Sequence, residues 1–100
     1  KHKITISEVA FIKLKQNEQI VFCEKNSNYD FVKKSWGYYS TPSINCRLKK
    51  QGYKTALIIN EKKKIYLTVV NKRKIKLFKK YCITQNLKVY KWLDTFKMAK

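Results

Sequence analysis

Acidic residues, glycine, proline and histidine are all scarce in this 100-residue chain. One histidine, His2, stands at the N-terminus, and Cys23, Cys46 and Cys82 are far apart with no Cys-x-x-Cys spacing. A tetrahedral zinc site needs four N, S or O ligands within reach, so no structural metal and no other cofactor is expected. A nucleophilic triad lacks its imidazole base, and Glu8, Glu18, Glu24, Asp30, Glu61 and Asp94 form no carboxylate pair. With two glycines there is neither a phosphate-binding P-loop nor a dinucleotide fingerprint. Catalysis therefore finds little support. No apolar run approaches the ~18 residues of a membrane-crossing helix, and no signal-peptide core is present. An odd, dispersed set of cysteines among apolar neighbours reads as buried, reduced thiols and a cytoplasmic setting.

Positive charge is abundant. Lys and Arg number 24 against 6 Asp and Glu, a formal net charge of +18. On the roughly 6,000 Å² of a compact domain of this size, that is about one uncompensated charge per 330 Å². Such a surface attracts nucleic acid or another polyanion. A/T-rich coding explains the preference for Lys over Arg, 22 to 2, but not the shortage of Glu. Apolar residues make up 44% of the chain, which separates it from disordered basic tails.

The pattern predicts one compact α+β domain over residues 1–100. Val9–Leu14 and Ile20–Cys23, separated by polar Lys15–Gln19, read as an N-terminal β-hairpin over 9–24. Lys25–Asp30 reads as a loop and Phe31–Lys33 as a helical turn, with extended chain through Trp36–Tyr39. Thr41 and Pro42 suit a helix start and Gly52 its end, with Ile44 and Leu48 on one face. Lys54–Asn60 and Lys64–Val70 form a hairpin about Asn60–Lys63. A second helix runs from about Lys72 to Gln85, capped by Asn71, with Ile75, Phe78 and Cys82 on one face. Lys88–Leu93 is the last strand. From residue 35 to 93 the order is β-α-β-β-α-β, a split βαβ or ferredoxin-like antiparallel sheet with both helices on one face.

Three groups of residues are candidates for function. The first is the helix start, where Trp36, Tyr38, Ser40, Thr41, Ser43, Asn45 and Arg47 gather hydroxyls, an amide and a guanidinium near free backbone N–H groups, suited to a small anion. The second is a stacking surface: Tyr66, Tyr90 and Trp92 would share a sheet face, joined by Trp36 or Tyr38, while Ile65, Leu67 and Val69 take the helices on the other. The third is the basic clusters Lys62, Lys63 and Lys64, and Lys72, Arg73 and Lys74, at opposite ends of one strand. Lysine reads phosphate as a point charge, so this coat favours weak, sequence-independent binding to RNA or single strands. The competing readings are a small-anion-binding accessory protein, with the charge incidental, and a homodimer formed through the aromatic sheet face.

Overall fold

The computed structural model describes residues 5–95, and the chain folds as two compact units, Lys1–Pro42 and Ser43–Lys100. Both contain an antiparallel three-stranded sheet, and the second adds helices, so the class is α+β. No helix among the described residues is long and apolar enough to cross a membrane.

The first unit is a meander of β1 (Gln19–Glu24), β2 (Ser27–Lys34) and β3 (Gly37–Ser40), in the order β1-β2-β3. The expected hairpin over 9–24 is replaced: residues 9–14 form no strand, and β1 pairs forward with β2. The polar turn does form, with Glu18 N–H donating to Lys15 O at 3.0 Å and Lys15 N–H to Glu18 Oε1 at 2.7 Å, but it is tied to β2, with Asn17 N–H donating to Lys33 O at 2.7 Å. Residues 25–30, expected as a loop, and 31–33, expected as a helical turn, belong to the β1–β2 turn and to β2. Lys25 takes a left-handed φ of 49°, which reverses the chain tightly. The ladder and the aromatic side chains of Tyr29 and Phe31 then outweigh the turn preferences of Asn28 and Asp30.

The second unit starts with α1 (Arg47–Lys50), then β4 (Tyr53–Ile59) and β5 (Ile65–Asn71). A 3-10 turn at Lys72–Lys74 leads into α2 (Ile75–Thr84), followed by β6 (Lys88–Trp92) and a 3-10 turn at Leu93–Thr95. Its sheet order is β5-β4-β6. This corrects the ferredoxin-like expectation, since β3 pairs with β2 in the first unit's sheet and not beside β4, β5 or β6. The helix from Thr41 is also corrected, because regular α-helix begins only at Arg47. Its end is as expected: Gln51 is the C-cap and Gly52 has a φ of 87°, a left-handed value glycine adopts without strain.

The hairpin tip and the second helix follow the sequence closely. Asn60 Oδ1 accepts from the N–H groups of Lys62 and Lys64 at 3.0 and 2.9 Å, closing the β4–β5 tip. Asn71 Oδ1 accepts from Arg73 N–H at 2.9 Å and caps the 3-10 turn before α2. At the other end Asn86 adopts φ 58°, and Leu87 N–H bonds back to Cys82 O at 2.7 Å, a Schellman closure.

The core lies in the second unit: Leu48, Ala56, Ile58, Val70 and Cys82 are buried, as are Thr55 and Asp94. Central strand β4 supplies three of these seven because both its edges are paired. In the first unit Pro42 is the one buried residue among those described.

Candidate nucleic-acid interface

The candidate residues of the helix start divide between the two units after Pro42. In the first unit, Trp36 sits in the β2–β3 turn and Tyr38 on β3, both exposed. Ser40 Oγ donates to the Tyr29 hydroxyl at 2.7 Å. Thr41 bonds to Asp30 twice, from its N–H to Asp30 O at 3.1 Å and from Oγ1 to Asp30 Oδ2 at 3.3 Å, so it fastens the strand end and caps no helix. In the second unit Ser43 takes over the capping role, accepting Arg47 N–H on Oγ at 2.7 Å and Leu48 N–H on its carbonyl at 2.9 Å. Asn45 is exposed and Arg47 half-buried at the start of the four-residue α1. The long helix dipole on which the anion expectation rested is absent from this segment.

The expected stacking surface is also rearranged. Residues directly opposite each other in an antiparallel pair share a face. Ala56 pairs with Thr68 on β5 and Trp92 on β6, while Ile58 pairs with Tyr66 and Val89. A register shift between Leu57 and Ile58 leaves Tyr90 as the extra residue of β6, so Val89 and Trp92, three apart, face the same way. Strict alternation would have grouped Tyr90 with Trp92. The Trp92 ring meets Phe78 of α2 edge-on, centroids 5.9 Å apart, and Lys54 Nζ lies 4.4 Å from its centre. The helix therefore packs on the Trp92 side and not on the aliphatic side. On that other side Ile65 and Leu67 remain 49% and 54% exposed, although Thr55 on the same side is buried. Tyr66 and Tyr90 stay open to solvent.

A separate aromatic cluster, missed in the sequence, forms on the first unit's sheet. The register places Phe22 beside Tyr29, Phe31 beside Ile20 and Ser40, and Tyr38 beside Lys33, all on one face. Phe22 and Tyr29 each meet Phe31 edge to face, with centroids 6.3 and 5.4 Å away. Lys33 Nζ lies 5.3 Å from the centre of the Tyr38 ring. The period-2 spacing of 29, 31 and 33 was the available signal, obscured by the Asn, Ser and Asp around it.

The charge is divided unevenly between the units. Lys1–Pro42 has seven lysines and four acidic residues, net +3, while Ser43–Lys100 has seventeen Lys and Arg and two acids, net +15. Its densest run is Lys72, Arg73, Lys74, Lys76, Lys79 and Lys80, all exposed. Ile75, Phe78 and Cys82 turn inward, as the 3.6-residue period requires, so Lys76 and Lys80 occupy the outer side of α2, and Lys79, four residues after Ile75, is exposed at the margin of the inner side. Leu77, Tyr81 and Ile83 are exposed among them. No acidic residue occupies the first turn of the 3-10 segment or of α2, so three cations stand at the positive end of the helix dipole. Lys62 and Lys63 are exposed at the β4–β5 tip, at the other end of β5 from Lys72–Lys74.

The cysteines differ from expectation in two cases of three. Cys23 on β1 and Cys46 before α1 are exposed, and only Cys82 is buried. Burial pushes the Cys82 thiol pKa up, so it stays protonated and unreactive near neutral pH. Among the described residues no group of three or more His, Cys, Asp or Glu is placed to hold a metal ion. Compared with known proteins, the chain matches no family model, no curated protein and no solved structure at a significant level.

Proposed function

We propose that the second unit is a nucleic-acid-binding module that holds the backbone of RNA or single-stranded DNA without reading its sequence. The observation that carries this reading is the concentration of +15 on Ser43–Lys100, with six exposed basic residues between positions 72 and 80. Polyphosphate is the ligand such a surface attracts most strongly, through charge pairing and release of condensed counterions. The helix start adds to the attraction, because a phosphate there offsets both the dipole and the mutual repulsion of Lys72, Arg73 and Lys74. Exposed Tyr81, next to Lys80 in α2, offers a ring for sequence-tolerant stacking beside this charge, and Tyr66 and Tyr90 are exposed on the strands of the same unit. Lysine dominates over arginine, so base-specific two-pronged contacts are few. The reading keeps the cytoplasmic setting, supported now by three thiols that form no disulfide and no longer by their burial.

Titration of a fluorescent oligonucleotide at rising salt tests it. If the six basic residues of this run engage phosphates, log K falls against log salt with a slope of about −4 on single strands. Affinities for oligonucleotides of different sequence should agree within about threefold. Absence of binding at about 50 mM salt removes the proposal.

A further inference from the structure

The first unit has chemistry of another kind. Part of the segment 7–14, which precedes β1 and forms no strand, lines a cavity of about 830 Å³, open to solvent along one side, together with the aromatic side of the sheet. Val9, Ala10, Ile12 and Leu14 come from the segment, and Ile20, Phe22, Phe31 and Tyr38 from the strands. Only Ser7 and Tyr38 bring side-chain hydroxyls to this lining. The volume falls within the range of about 300–1,000 Å³ typical of small-molecule sites.

We propose that this cavity takes the hydrocarbon chain of a free aliphatic carboxylate, whose head group pairs with Lys33. Three observations select that chemistry. A ligand with a polar ring, such as a nucleobase or sugar, would leave its hydrogen-bonding edges unpaired against so apolar a lining, which is costly. The two lining rings, Phe22 and Phe31, stand at 78° to each other, so they form an irregular wall fit for a flexible chain and no flat slot for a planar one. Lys33 brings a positive charge beside Tyr38, which lines the cavity: its Nζ lies 5.3 Å from the ring centre and donates one hydrogen bond to Lys34 O at 3.0 Å, which leaves two N–H groups for an anionic head. This site lies wholly within Lys1–Pro42 and does not depend on nucleic-acid binding by the second unit.

Calorimetric titration of the full chain with decanoate, dodecanoate and tetradecanoate, each below its micelle concentration, tests the proposal. Affinity should rise about fourfold for each added methylene, the factor expected for burying one CH₂. Ile12→Ser should weaken dodecanoate about tenfold; Ile12 is more than half exposed, so the substitution leaves the sheet intact. Lys33→Gln should weaken the carboxylates and leave dodecanol unaffected. Saturating dodecanoate should slow amide exchange in β1–β3 and not in β4–β6. Affinity independent of chain length would mean charge pairing with the lysine coat alone, and would overturn the proposal. So would indifference to Ile12→Ser, protection confined to β4–β6, or a chain that self-associates through this face and takes up no carboxylate.

Discussion

The two units solve the problem of a three-stranded sheet differently. In Ser43–Lys100 one side of the sheet is covered by α2, and Leu48, Ala56, Ile58, Val70 and Cys82 are removed from water. In Lys1–Pro42 no helix is present among the described residues, and Ile6, Val9, Phe11, Phe22, Trp36 and Tyr38 are each more than half exposed. The unit with the core also has +15, and the unit without it has +3. Self-repulsion at that density must be opposed by something, and burial of apolar side chains is the largest opposing term available. High charge thus accompanies a core, whereas the first sheet relies on ladder hydrogen bonds and cross-strand aromatic contacts, which give little stability to three strands alone.

The largest expected effect tests that division directly. Leu48→Ala, at a position 2% exposed, should lower the stability of the second unit by about 2–5 kcal/mol in denaturant unfolding followed by circular dichroism. Phe22→Ala, at a position 52% exposed, should cost less than about 1 kcal/mol by the same measurement. The buried thiol supplies a second readout. If Cys82 is modified only when the unit opens, a loss of about 2 kcal/mol raises its labelling rate about thirtyfold, with Cys23 and Cys46 fast in both proteins. Equal costs for Leu48→Ala and Phe22→Ala would remove the distinction between a cored and an open sheet.

Charge gives the next largest contrast. Replacing Lys79 and Lys80, both exposed on α2, by Glu should weaken an oligonucleotide about tenfold or more at low salt and flatten the salt slope. Replacing Lys13 and Lys15 by Glu changes the net charge equally but lies in the near-neutral unit, and should change affinity by less than about twofold. Binding that responds only to total charge would weaken equally in both variants. That outcome would return the reading to a diffuse basic coat.

Within the second unit two polar positions sharpen the account of its core. Asn71→Ala removes the acceptor of Arg73 N–H and should cost about 1 kcal/mol. Thr55 is 2% exposed, and its Oγ1 has no hydrogen-bond partner among the described residues. Thr55→Val keeps the shape and deletes the unsatisfied hydroxyl, so stability should rise by up to about 1 kcal/mol. A loss on Thr55→Val would show that the hydroxyl is bound in solution.

What was legible in the sequence depended on whether local signals and long-range pairing agreed. The β4–β5 tip at Asn60, the Asn71 cap and the inward Ile75, Phe78 and Cys82 were readable because side-chain chemistry and periodicity act over a few residues. The β1–β2 pairing was not, because the polar run at 25–30 carries turn residues inside a strand, and only the partner strand makes it extended. Of the candidate sites, the basic clusters were visible as composition, but their segregation into one unit required knowing that the division falls at Pro42. The Trp92 face was misread because the extra residue Tyr90 breaks the two-residue period, and a bulge has no signature in side-chain pattern alone. The helix start at 41 failed for a local reason: Ser43 and Thr41 are both capping residues, and Thr41 is held by Asp30 across the sheet while Ser43 serves α1.

The smallest expected effect is the most demanding test of the comparison. Phe11 is 87% exposed and belongs to no strand, although by residue type it would be assigned to a core. Phe11→Ala should change stability by no more than about 0.5 kcal/mol, because almost no apolar surface is re-exposed. It does not line the cavity, so dodecanoate affinity should also hold within about twofold, against the roughly tenfold loss at Ile12. A destabilisation of about 2 kcal/mol or more at Phe11 would mean that this ring is buried in solution. The segment before β1 would then be part of a core, and the contrast between the two units would be one of charge alone.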